Sequence, residues 1–137
     1  VKLFPNRISG RAAMREAHLL PFNVYRIYQE AHGALCAELS ILAGLGLRAL
    51  VEAVCVERQV TKGNLQDKID ALATGGHITP AGSKILHSLR FMGNAAAHEV
   101  KAHTPQQLNA AFDVVEHLLQ GVYVLPSQAA SLPTEKS

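Results

Sequence analysis

Arg90, Asn94 and His98 follow one another at four-residue intervals, so on a helix they stack on consecutive turns of one face. A guanidinium, an amide and an imidazole in that order suit a phosphodiester. Arginine can grip phosphate through a bidentate fork and stabilise charge that builds during reaction. Histidine titrates near neutrality and can move a proton, and Asn94 can orient the imidazole or the substrate. Advancing about 100° per residue puts Ser83 and His87 on the same side, and Lys101 too if the helix runs that far. Ile85, Leu86, Leu89, Met92, Gly93 and Ala96 gather on the opposite, apolar side. Any exposed helix face carries polar residues, so the spacing alone describes a solvated surface as well as a site.

Other chemistry is weaker. His98-Glu99-Val100-Lys101-Ala102-His103 resembles a zinc-protease string, but that motif needs its histidines four apart so that both reach one metal. Here they are five apart and His103 directly precedes a helix cap, so no metal site follows. His18, His32, His77 and His117 show no ligand spacing. Cys36 and Cys55 form neither a disulfide framework nor a zinc motif and read as small buried hydrophobes in a reducing compartment. Arg48 and Glu52, four apart on an apolar helix, predict a buried ion pair that fixes helix register. The alternative is that Arg48 adds a second cation to the stripe. No cofactor is implied.

At 137 residues the chain makes one domain with a core of its own. Only 5% is aromatic and there is no Trp; a core of Leu, Val, Ile and Ala favours helix packing over sheets. A net charge of +2 is too mild to demand a nucleic-acid partner, and Lys2, Arg7, Arg11 and Arg15 read as scattered cations on a solvated leader. The most apolar stretch, 39–56, contains Arg48 and Glu52, which suits a buried core helix and not a membrane span. No signal peptide is visible; a cytoplasmic protein is expected. The first residue, Val1 in place of Met, suggests a fragment of a longer protein.

These groups must be positioned by helices. Residues 1–20, with Pro5 and Gly10, form an irregular leader holding at most a short helical turn near 12–18. Pro21 opens a helix with apolar positions Val24, Ile27, Tyr28, Ala31 and Leu35. A second helix, about 40–58, is apolar on nearly every side and therefore central, and Gly44 and Gly46 let a neighbour approach closely. Asn64 caps a third helix, 65–74, with Asp67 three residues on, and Gly75-Gly76 stop it. Thr79-Pro80 and Thr104-Pro105 start a fourth and a fifth. The fifth buries Leu108, Ala111, Phe112, Val115, Leu118, Leu119 and Val122 and stops before Pro126, leaving 127–137 as a disordered tail. The expectation is an all-α bundle of about five helices over 21–126.

The run Leu89-Arg90-Phe91-Met92-Gly93-Asn94-Ala95-Ala96-Ala97-His98-Glu99 resembles the signature of the domain of unknown function 4145 family, within the HEPN (higher eukaryotes and prokaryotes nucleotide-binding) superfamily of helical bundles. The segments 21–31, 48–55 and 65–72 are similar to it as well, so the likeness covers about residues 20–125 in order. It implies a HEPN-like bundle that acts as a homodimer, and catalytic members are metal-independent endoribonucleases. In those, an Arg followed directly by a polar residue, often Asn, and then by a His lines a cleft between protomers. Asn94 and His98 match the last two elements, but Gly93 stands where the Arg belongs. Arg90 comes one turn earlier, and Gly93 reads as a structural residue that permits close packing.

The departure points to a degenerate module that dimerises and binds RNA or a nucleotide, or assembles a larger prokaryotic defence-type protein, without cutting. The alternative is an endoribonuclease using Arg90, Asn94 and His98 from both protomers, with His87, Lys101 and Arg48 as weaker binding contributors and Glu52 structural. Phe91, beside the stripe, is expected to meet the partner protomer.

Overall fold

The computed structural model describes residues 11–98 and 104–133, with side chains for 11–89 and 104–133. It is all-helical there: α1 (Phe22–Cys36), α2 (Ser40–Glu57), α3 (Leu65–Thr74), α4 (Pro80–His98) and α5 (Pro105–Leu119), continued by a π-helical turn (Gln120–Val124) into a short α6 (Leu125–Ala130). A bundle of about five helices with no strand among the described residues agrees with the expectation from composition.

Each start has a local cause. Asn64 and Asp67 form a capping box at α3, and Thr104 and Gln107 form another at α5, where Pro105 occupies the first turn. The Thr79 hydroxyl accepts from the Gly82 amide at 2.9 Å and so caps α4. Three helix ends close in the same way, with a left-handed residue and paired backward hydrogen bonds. After α3 this residue is Gly76; after α1 and α2 it is Glu38 (φ 63°) and Gln59 (φ 65°).

The second helix is central: α1, α3, α4 and α5 all pack on it. Its Ala43, Leu47, Leu50, Val51, Val54 and Cys55 are buried. A Cβ on Gly46 would lie 2.9 Å from the Ala31 Cβ, so the missing side chain is what lets α1 and α2 touch. The buried stripe of α5 is Leu108, Ala111, Phe112, Val115, Leu118 and Leu119, with Val122 partly buried just beyond.

Three expectations need correction. Arg48 and Glu52 are not a buried pair: their nitrogen and oxygen are 3.8 Å apart and their side chains are 29% and 42% exposed. The helix is less apolar all round than its composition implied, and such a pair contributes little. The helix does not stop before Pro126, because the π turn intervenes. The Leu125 amide donates to the Gln120 carbonyl, five residues back, and the shifted register lets α6 begin with the proline in its first turn. The third correction concerns the leader, which from Arg11 onward packs on the bundle, as shown below.

Gln59→Gly should raise stability by about 0.5–1 kcal/mol, because it removes the left-handed penalty and loses part of the gain to unfolded-chain entropy. A higher urea midpoint at unchanged slope would show it.

Candidate functional site

The predicted stripe depends on α4 being continuous. It is continuous from Pro80 to His98, so positions 90, 94 and 98 fall on successive turns. Gly82, Leu86 and Leu89 face the core. A Cβ on Gly82 would sit 3.3 Å from Val114 of α5, which is how closely the two helices approach there. On the wheel the three stripe positions lie roughly 75–155° away from that buried side. The side chains of Arg90, Phe91, Gly93, Asn94 and His98, and the whole of Lys101, lie outside the described residues.

His87 is the stripe-side residue whose side chain is described best. Its Nε2 lies 2.9 Å from Asp70 Oδ1 on α3. Ionised carboxylates only accept, so the imidazole donates. Nδ1 is buried without a protein partner. One edge of the ring is thus committed to joining α3 to α4, which narrows its expected binding role. Arg48 lies on α2 in its partial pairing with Glu52, and no contact brings it to the described part of the stripe.

A second polar cluster was not anticipated. Arg11, assigned above to a solvated leader, has a side chain only 15% exposed. Its Nη1 donates to Asn109 and its Nη2 to Asp113 and Glu116, each at 2.9 Å, and its guanidinium lies 5.4 Å from the centroid of the Phe112 ring. All four partners project from α5. The second carboxylate oxygen of Glu116 accepts from the Tyr28 hydroxyl at 2.7 Å, and that hydroxyl accepts from the Met14 amide at 2.8 Å. The Arg11 carbonyl is 2.8 Å from His32 Nε2, and the Cys36 thiol lies 3.7 Å from the same carbonyl. His32 stacks on Tyr28, their centroids 6.0 Å apart.

The electrostatics follow from this packing. Burial works against the Arg11 charge, but its hydrogen bonds to Asp113 and Glu116 more than offset that, and its pKa rises. Burial, reinforced by donation to Glu116, pushes the Tyr28 phenol up; burial with Glu57 does the same for Tyr123, whose hydroxyl donates to Glu57 at 2.7 Å. Burial also pushes the Cys55 thiol up, so it stays protonated and unreactive. Cys36 and Cys55 are both free. No group of three metal-ligating side chains occurs among the described residues, and no helix among them is long and apolar enough to cross a membrane. One signal for the cluster was present in the sequence: a tyrosine on a buried stripe needs a hydrogen-bond partner.

The chain matches the model of the family described as Domain of unknown function (DUF4145) over residues 29–135. The match takes in α4 with its stripe and runs on through the π turn and α6. No curated protein and no solved structure matches the chain.

Tyr28→Phe should lower stability by about 1–3 kcal/mol, because the Glu116 oxygen and the Met14 amide lose their partner. A phenol whose folded pKa is raised stabilises fully below its unfolded value, near 10, and that contribution is lost as pH rises beyond it. Unfolding followed from pH 8 to 11 should therefore show a shallower alkaline decline in the variant, with Tyr123 supplying the remainder.

Proposed function

The chain belongs to the DUF4145 family, and on that premise we propose that it is a HEPN-like module that pairs with a second copy and binds RNA or a nucleotide along α4 without cutting it. Such a module can equally serve as the assembly element of a larger prokaryotic defence-type protein. The observation that carries the reading is the unbroken course of α4 from Pro80 to His98 with its core face taken by Gly82, Leu86 and Leu89. A straight helix aligns Arg90, Asn94 and His98 in register along one edge, where a guanidinium and an imidazole can meet successive phosphates.

Binding is favoured over cleavage because Gly93, not Arg, precedes Asn94. The guanidinium that would stabilise transition-state charge is displaced by one turn, and such stabilisation is sensitive to placement. Two free thiols, Cys36 and Cys55, go with a reducing, cytoplasmic setting.

Incubation with mixed single-stranded RNA in EDTA, beside Arg90→Ala and His98→Ala, tests the proposal. RNA should bind and stay intact, and Arg90→Ala should weaken binding about tenfold, the loss of one charge-assisted contact, and reduce its salt dependence. Cleavage that disappears in His98→Ala would replace this reading with a metal-independent ribonuclease. A solution mass of one protomer with no RNA bound would end both.

A further inference from the structure

Between the described start at Arg11 and the first turn of α1 the chain has little regular structure. It is irregular from Arg11 to Met14, and a three-residue 3₁₀ turn, Ala17–Leu19, precedes Pro21. Its own backbone bonds are few: the Leu19 amide donates to Glu16 and the Leu20 amide to Ala17. Ala12, Ala13, Arg15 and His18 are exposed. What fastens this stretch is a short set of contacts: the Arg11 side chain on α5, the Arg11 carbonyl at His32, the Met14 amide on Tyr28, and the buried side chains of Met14 and Leu20.

We infer that residues Arg11–Leu20 are a strap that opens as a unit while the helical bundle stays folded, and that the Arg11–Glu116–Tyr28 contact is its latch. The far end is a hinge, since Leu20 leads directly into Pro21, whose extended backbone (ψ 152°) begins α1. Near the other end the fastening is mostly polar. Asp113 is 71% exposed, so its pairing with Arg11 is weakened by solvent. Glu116 is 17% exposed and holds both Arg11 and Tyr28, one on each carboxylate oxygen. One carboxylate therefore ties the strap to α5 and joins it to α1.

The bundle does not depend on these bonds. Its core lies among α1 to α5, and of the strap only Met14 and Leu20 reach it. Segments held by few apolar contacts open at lower free energy than the core they cover. When the strap lifts it takes away the Arg11 carbonyl that faces His32 and Cys36 and the guanidinium that lies over Phe112. A phenol, an imidazole, a thiol and an aromatic ring on the α1–α5 face are then uncovered together. The strap is thus a conformational device that controls access to that face.

Hydrogen exchange of the full chain, read by mass spectrometry on peptides covering 11–20 and 43–55, tests this. In the parent protein the strap should exchange faster than α2. Glu116→Gln, which removes the charge and keeps the shape, should speed strap exchange at least tenfold and leave 43–55 unchanged, and 0.5 M salt should act in the same direction. Arg11→Gln should reproduce the effect from the strap side and serves where Glu116→Gln fails to fold. Iodoacetamide should modify Cys36 faster in these variants, while buried Cys55 stays protected. A common exchange rate for both peptides, or strap exchange unaltered in a folded latch variant, would overturn the inference.

Discussion

The contact between Gly46 and Ala31 sets the spacing of the bundle. With no side chain at 46, the axes of α1 and α2 come close enough for Ala31 to sit against bare backbone, and the buried faces of both helices close around that point. The second helix is then surrounded: α3, α4 and α5 pack on its remaining sides, and Leu47, Leu50, Val51 and Val54 fill the space between them. Close-packed interiors respond to a single added methyl group, so the absence of one here governs where every other element lies. The position of α4 is among the results, since its inner edge rests on α2 and α5.

How far the fold was legible depended on whether its signals were local. The boundaries of α3 could be read directly, because Asn64 and Asp67 open it and Gly75-Gly76 close it with recognisable chemistry. The ends of α1 and α2 use the same geometry but place Glu38 and Gln59 in the left-handed position. Nothing in their identity marks a stop. Pro126 marked one falsely, because the preceding π turn absorbs it.

The polar groups divide in the same way. The alignment of positions 90, 94 and 98 follows from helical periodicity and could be read without coordinates. The pairing of Asp70 with His87 and the collection of Asn109, Asp113 and Glu116 around Arg11 could not, since those partners stand 17 and about a hundred residues away in the chain. A residue typed as a solvated cation from its neighbours in sequence became one of the least exposed charges of the described structure through its neighbours in space.

The π turn at Gln120–Val124 amounts to one surplus residue accommodated within a continuous helical rod. Upstream of it, Leu118 and Leu119 keep their seats in the core; downstream, everything is swung round by about 100°, one residue's worth of helical rotation. A relative shorter by a single amino acid in this window could retain the same interior while presenting Leu125 and Leu132, both outward-facing here, toward a different quarter. Length variation at this place therefore acts as a rotary adjustment, changing the bearing of the terminal extension without disturbing what lies beneath it.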